Sequence, residues 1–279
     1  MAVTFNDLKN DAQIFDAFKS SDSKNAIWKQ LKTSVLFDKD VYWDVRKSNY
    51  INAYFEGANL MKLYCSEANE IKADIHEKYL GGTGKKYINL IKWLDGKNVT
   101  DELEKIKQKI KTIYSQKNGS DKEKWSESFI KSQYILKNHS SCIDSEFGYN
   151  DVVSNIRIDV VRCIDGEIQF VEIKRLDDNR MLKKTDNSPE VIGQVKGYQD
   201  FIKKNKDKIL KYYQNLWSIK KDLGILPEGL SCPTSVNVKP ELFIFNRWVK
   251  AHPKRDERKK RIEDILKREK ISYKICSEI

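Results

Sequence analysis

The chain has 279 residues, of which 39% are hydrophobic, and a formal net charge of +11 at pH 7, so it can bury one large core or two modest ones. Its five cysteines lack a C-x-x-C pair and its three histidines lack ligand spacing, which argues against a disulfide framework and a zinc site. Because the N-terminus lacks a signal-peptide pattern and no stretch approaches the ~20 apolar residues of a membrane span, we expect a cytoplasmic protein.

The first part of the chain predicts helices followed by an antiparallel meander. Helix-like apolar spacing covers residues 6–19 and 24–32. Alternating runs predict four strands, at 41–45, 50–55, 60–65 and 70–75, with a hairpin-like break at 56–59. The aromatic side chains of the meander leave two interpretations open: a core packed on the helices, or a surface for DNA recognition or dimerisation.

A polar segment after the meander predicts the domain organisation. The glycine-rich residues 81–86 fit a phosphate-loop pattern poorly and predict a flexible loop. Thr100 is the predicted N-cap of a helix that extends to about residue 115. Residues 117–121 are polar and typical of turns. We therefore predict an N-terminal α+β domain at 1–118 and a second domain at 119–279.

The second domain predicts an α/β (α+β) core with a mixed sheet covered by helices on both sides. Its predicted elements are a helix at 123–137, a strand at 144–149, a hairpin at 155–174, helices at 189–204 and 206–221, a strand at 241–246, a helix at 254–268 and a strand at 271–276. Ser188 is the predicted N-cap of the helix at 189–204, with Pro189 in its first turn. The continuous apolar run after Pro240 indicates a strand buried on both faces.

The hairpin at 155–174 carries the strongest functional signal. Asp165-Gly166 between two alternating apolar runs predicts a two-residue turn, which places Asp159 opposite Glu172. Lys174 lies two residues beyond Glu172 and therefore points to the same face. Apolar residues on both faces indicate that the hairpin is covered, so two adjacent carboxylates need compensation, and Mg²⁺ prefers oxygen ligands. We expect a metal site here; the alternative is a surface ion pair.

These residues resemble the core motif of the PD-(D/E)XK nuclease superfamily, the restriction-endonuclease-like nucleases. Asp159 and the segment Glu172-Ile173-Lys174 match the motif, although Ile158 stands where the family name has Pro. Glu127, on the predicted helix ahead of the hairpin, is similar to a glutamate that joins the metal site in the family. Gln194 and Tyr198 match the Q-x-x-x-Y pattern of RecB-like members and share one helix face. The resemblance covers residues 120–279.

The resemblance implies a Mg²⁺-dependent nuclease, with Mn²⁺ able to substitute. It implies metal binding by Asp159, Glu172 and Glu127, a water-activating role for Lys174, and positioning of water or phosphate by Gln194. It also implies a contact between Tyr198 and the DNA backbone. A restriction or phage-defence endonuclease is the first expectation, and a repair or recombination nuclease or a non-catalytic binding module are the alternatives. Cutting both strands with one active site per chain favours a homodimer.

A basic segment supports a nucleic-acid partner. Residues 247–270 hold eleven basic and five acidic residues, a net charge of +6. Such a stripe is the expected electrostatic footprint of a DNA-binding protein. The predicted nucleic-acid contacts besides Tyr198 are Lys196, Arg255, Arg258, Lys259 and Arg261. The alternative is a soluble basic helix without a partner.

Overall fold

The computed structural model describes residues 4–19, 26–66, 70–114, 125–152, 154–182 and 189–279 and has an α+β fold with two β-sheets. The helices in these ranges are α1 (Gln13–Lys19), α2 (Ala26–Leu36), α3 (Leu90–Trp93), α4 (Val99–Ile113), α5 (Glu127–Lys137), α6 (Glu190–Lys204), α7 (Lys206–Asp222) and α8 (Pro253–Arg268). The strands are β1 (Val41–Arg46), β2 (Tyr50–Phe55), β3 (Ala58–Cys65), β4 (Ile71–His76), β5 (Tyr87–Asn89), β6 (Cys142–Asn150), β7 (Asn155–Ile164), β8 (Glu167–Arg175), β9 (Ser235–Val236), β10 (Glu241–Phe245) and β11 (Tyr273–Cys276). No helix of the described ranges is long and apolar enough to cross a membrane.

The first sheet is an antiparallel meander of five strands in the order β1-β2-β3-β4-β5. The four predicted strands are confirmed, while the short strand β5 was missed. The break between β2 and β3 is a tight turn in which Glu56 and Gly57 both have positive φ. A side chain at Gly57 would approach the backbone oxygen of Ser128 to 2.7 Å, so this turn lies directly against α5.

Three predicted helix starts are corrected. Residues 6–19 do not form one helix, because Leu8 is extended and separates a short 3-10 turn from α1. Helix α4 is capped by Asn98 and not by Thr100, since the Asn98 side chain accepts hydrogen bonds from the backbone of Thr100 and Asp101. Pro189 is the N-cap residue of α6 and not its first helical residue, and Ser188 lies outside the described residues.

The second sheet is mixed and has six strands. Its order is β11-β10-β8-β7-β6, with the short β9 pairing with β8. Strands β6, β7 and β8 are antiparallel, whereas β10 is parallel to both β8 and β11. The predicted hairpin turn is confirmed, because Asp165 and Gly166 both have positive φ. Gly166 also packs closely, since an added Cβ would lie 2.8 Å from Oγ1 of Thr234.

Helices cover the second sheet on both faces, as predicted. Helix α5 packs on one face through a cluster that includes Val160, Val171 and Phe243. Helices α6 and α8 pack on the other face around Leu242 and Ile244. Strand β10 contributes alternate residues to both clusters, so its continuous apolar run reflects burial on two faces.

Ile158 departs from the predicted alternation of the hairpin. The sequence pattern places it on the same face as Val160, but it joins the large cluster that contains Val161 and Phe170. Ile158 pairs with Phe147 of β6, which belongs to the same cluster. Glu146, which precedes Phe147, has positive φ, so the regular alternation of side chains is interrupted at this point of the pairing.

Buried charges join the two sheets. The Lys220 ammonium of α7 is within hydrogen-bond distance of Asp44 Oδ1 at 3.1 Å, of the Trp43 carbonyl at 2.8 Å and of the Ile143 carbonyl at 2.7 Å. One hydrophobic cluster also extends from α1 and the first sheet to α7. The predicted boundary between residues 118 and 119 lies outside the described residues, and the division into two domains stays a prediction.

Candidate active-site cleft

An open cleft of about 730 Å³ lies where α5 and α6 approach β7 and β8. Six residues that the sequence singled out line it together: Glu127, Asp159, Glu172, Lys174, Gln194 and Tyr198. They come from four different elements, so only the folded chain assembles them.

Asp159 lies where β7 separates from β8. The register is the predicted one, since Ile164 is opposite Glu167 and Val160 is opposite Val171. At the next residue the ladder ends, and Oδ2 of Asp159 accepts a hydrogen bond of 2.9 Å from the backbone N–H of Ile173. Asp159 forms no ion pair with the residues that the structure describes. Its carboxylate therefore faces the cleft without a neutralising side chain.

Glu172 and Lys174 form a buried ion pair on the cleft face of β8. Only 2% of Glu172 and 1% of Lys174 is exposed to solvent. The ammonium of Lys174 donates a hydrogen bond to Oε1 of Glu172, whereas Oε2 of Glu172 has no hydrogen-bond partner within the described ranges. Burial raises the pKa of Glu172, and the charge of Asp159 raises it further, to about 7. A cation beside Glu172 and Asp159 would stabilise the ionised form.

Gln194 and Tyr198 extend this network from α6. Nε2 of Gln194 donates to Oε1 of Glu172 at 3.0 Å and lies 2.6 Å from the hydroxyl of Tyr198. The Tyr198 hydroxyl in turn donates to the carbonyl of Arg157. Tyr198 is buried and its hydroxyl donates inside the protein, so this hydroxyl helps to hold Gln194. The contact of Tyr198 with a DNA backbone stays a prediction.

Glu127 lines the cleft, but among the described residues it does not belong to a group of side chains arranged to hold a metal ion. Its carboxylate pairs with the guanidinium of Arg180 at 3.2 Å. Within the described part of the chain, no group of three or more His, Cys, Asp and Glu side chains is arranged to hold a metal ion. The predicted three-carboxylate set is therefore not assembled. Asp159 and Glu172 remain as candidate ligands, which fits Mg²⁺, because this ion keeps several waters and often takes only one or two carboxylates.

The cleft contains further functional candidates that the sequence reasoning missed. Lys131 and Arg157 both pair with Glu146. Burial alone would raise the pKa of Glu146, but the charge and hydrogen bond of Lys131 and the charges of Arg46 and Arg157 outweigh burial and lower this pKa to about 2. Lys131 follows Glu127 by four residues on α5, a spacing that could have indicated it. Gly193 and Gly197 lie one turn apart on α6 with open space above them, so the backbone of a ligand can approach this helix closely.

The predicted basic stripe on α8 does not line the cleft. Arg258 donates to the carbonyl oxygens of Leu176, Asp178 and Leu182 and so fastens α8 to the loop after β8. Three of its five guanidinium N–H donors are used in this way, so we expect Arg258 to anchor α8 and to contribute little to phosphate binding.

The other predicted basic contacts with nucleic acid differ in whether they already contact another side chain of the protein. The guanidinium of Arg255 lies 5.2 Å from the ring centroid of Trp248, and Lys196 pairs with Glu269 at 2.7 Å. Arg261 is exposed and Lys259 is partly exposed on α8. These four residues stay predicted contacts with nucleic acid.

No protein-family model, curated protein or solved structure matches the chain.

Proposed function

We propose that this protein is a Mg²⁺-dependent DNA endonuclease of the restriction or phage-defence type, with a PD-(D/E)XK-like core. The observation that carries the proposal is the buried carboxylate of Glu172, which keeps one oxygen without a partner among the described residues, beside Asp159 in an open cleft. Burying an unsatisfied carboxylate oxygen is unfavourable. A hard cation held by Asp159 and Glu172 would remove that cost, and Mn²⁺ would be able to replace Mg²⁺.

The side chains of the cleft suit phosphodiester hydrolysis. A bound Mg²⁺ would neutralise charge on the phosphate and lower the pKa of a coordinated water. Lys174, held by Glu172, would orient the attacking water and stabilise the negative charge that develops. Gln194 holds Oε1 of Glu172 and keeps this carboxylate in place. Arg157, 73% of whose side chain is exposed, would contact a neighbouring phosphate.

Charge also favours a polyanionic substrate. The net charge of +11 and the basic surface of α8 would attract nucleic acid before it reaches the cleft. Among nucleases, we favour a restriction or defence enzyme. The Gln194–Tyr198 pair, which is typical of RecB-like nucleases, supports a repair or recombination nuclease as the second candidate.

Cleavage of supercoiled plasmid tests the proposal. Wild type, Asp159→Asn and the matched control Asp165→Asn should be incubated with supercoiled plasmid, linear DNA and RNA, in Mg²⁺ and in EDTA. Asp165→Asn makes the same chemical change at the other end of the hairpin, where Asn also tolerates positive φ. We expect nicking of the closed circle by wild type and Asp165→Asn in Mg²⁺ only, and none by Asp159→Asn.

The outcomes separate the candidates. Degradation of linear DNA alone would favour an exonuclease, and cleavage of RNA alone would change the substrate class. Cleavage that survives in Asp159→Asn or in EDTA would refute the proposed site. Binding of nucleic acid without turnover of any substrate would favour a non-catalytic module.

A further inference from the structure

A second pocket, of about 350 Å³, continues the cleft towards the first sheet. Glu146, Asn155, Ile156 and Arg157 line both cavities, so the two are connected along the ends of β6 and β7. The far side of the second pocket is the polar face of the first sheet. A ligand in the cleft could therefore extend into this pocket without crossing other structure.

Tyrosines form the walls of the second pocket. Tyr50, Tyr54 and Tyr149 line it, and the ring of Tyr54 is stacked on that of Tyr42 with centroids 5.0 Å apart. Together with the guanidinium of Arg46, which lies 5.4 Å from the Tyr54 centroid, this stacking holds the Tyr54 ring in place. The ammonium of Lys62 lies 4.3 Å from the centroid of the Tyr50 ring and adds positive charge to the same sheet. Flat aromatic walls beside cations suit a nucleobase attached to a phosphate backbone.

Asn52 supplies a buried hydrogen-bond acceptor in the same pocket. Only 5% of Asn52 is exposed, and its Nδ2 donates to the hydroxyl of Tyr54 at 2.8 Å. That hydroxyl also accepts from Arg46 at 2.8 Å, which holds the Tyr54 side chain in place. Oδ1 of Asn52 has no hydrogen-bond partner among the residues the structure describes. Leaving such an atom unsatisfied is unfavourable.

We propose that the second pocket binds one unpaired nucleobase next to the scissile phosphate, stacked on the tyrosines and donating a hydrogen bond to Oδ1 of Asn52. This inference rests on the proposed function, because the cleft must hold the phosphate. The volume of the pocket lies near the lower limit for ligand sites, so the pocket can hold one base but not a base pair. Every nucleobase has an N–H donor on its pairing edge, and that edge is free only when the base is unpaired.

Binding measurements test the subsite independently of cleavage. In the Asp159→Asn background, we would measure the Kd of a short labelled single-stranded oligonucleotide, and of the same strand with one base removed at each position in turn. We expect one position at which removing the base raises Kd roughly tenfold, the usual effect of losing one stacked base. Adding Asn52→Leu should raise Kd for the intact strand and make the effect of the missing base smaller, because the base then keeps only its stacking.

Two further variants separate a local role from misfolding. Tyr50→Ala removes one wall of the pocket at a partly exposed position, whereas Tyr64→Ala removes a tyrosine on the neighbouring strand β3 that does not line the pocket. Each variant should first show a wild-type melting temperature. We expect Tyr50→Ala to weaken binding of the intact oligonucleotide but not of the strand that lacks the base. Tyr64→Ala should bind both oligonucleotides as tightly as the Asp159→Asn protein does.

The subsite and the proposed function can fail separately. If wild type cleaves no nucleic acid but the base-dependent binding is present, the subsite stands and the endonuclease proposal falls. Equal Kd values for intact and base-free strands at every position, or no binding at all, would overturn the subsite whether or not the protein cleaves DNA. Equal effects of Tyr50→Ala and Tyr64→Ala would also overturn it.

Discussion

Replacing Glu172 with Gln should remove a pH dependence from the stability of the protein. In the folded chain, burial and the nearby Asp159 raise the pKa of Glu172 to about 7 from an ordinary value of 4.5. The folded state therefore binds this proton more tightly than the unfolded state. The resulting stabilisation is fully present below the unfolded pKa and is lost as the pH rises through about 7.

The expected magnitude follows from that pKa shift. At about 1.36 kcal/mol per pKa unit, wild type should lose ~2 kcal/mol of unfolding free energy between about pH 5.5 and pH 8 that Glu172→Gln does not lose. The pKa of Asp144 is also raised by burial, to about 7, and gives a slope of the same sign. Because Asp144 is present in both proteins, the difference between them isolates Glu172.

Urea denaturation in EDTA, followed by tryptophan fluorescence and circular dichroism at a series of pH values, measures this difference. Glu167→Gln, an exposed position on the same strand, is the matched control and should keep the wild-type slope. At pH 8, Mg²⁺ at ten times its Kd should stabilise wild type by about 1.4 kcal/mol and leave Asp159→Asn unchanged. If Glu172→Gln and wild type show the same pH slope, the reasoning about a buried, destabilised carboxylate is refuted.

Three further predictions concern single cations. Lys174→Met should lower kcat on plasmid DNA by roughly 10²–10⁴ while the stabilisation by Mg²⁺ persists; loss of that stabilisation would assign Lys174 to metal binding instead. Lys220→Met should reduce the unfolding free energy in urea by about 3 kcal/mol, because it leaves buried Asp44 short of a cation, and activity per folded molecule should not change. Arg258→Ala should lower the melting temperature and leave the salt dependence of DNA binding unchanged, whereas Lys259→Ala should reduce the slope of log Kd against log salt by about 1 in gel-shift titrations; the reverse pattern would contradict the roles that we assign to these two side chains.

The sequence by itself determined the hairpin and the face on which its charges lie. Asp165-Gly166 sets the turn locally, and because side chains alternate along a strand, the turn also sets the register of Asp159, Glu172 and Lys174. The spacing of four residues placed Gln194 and Tyr198 on one face of α6. These features depend only on neighbours along the chain or directly across one turn.

Only the tertiary structure decided how those charges are used. The pairing of Glu127 with Arg180, far apart in the chain, removed Glu127 from the predicted metal set. The Tyr198 hydroxyl donates a hydrogen bond to the carbonyl of Arg157, and no local sequence pattern predicts this partner. The short strands β5 and β9 form because they pair with the longer strands β4 and β8. The second pocket likewise arises where the first sheet meets β6 and β7, because contacts between distant segments depend on the packing of the whole chain.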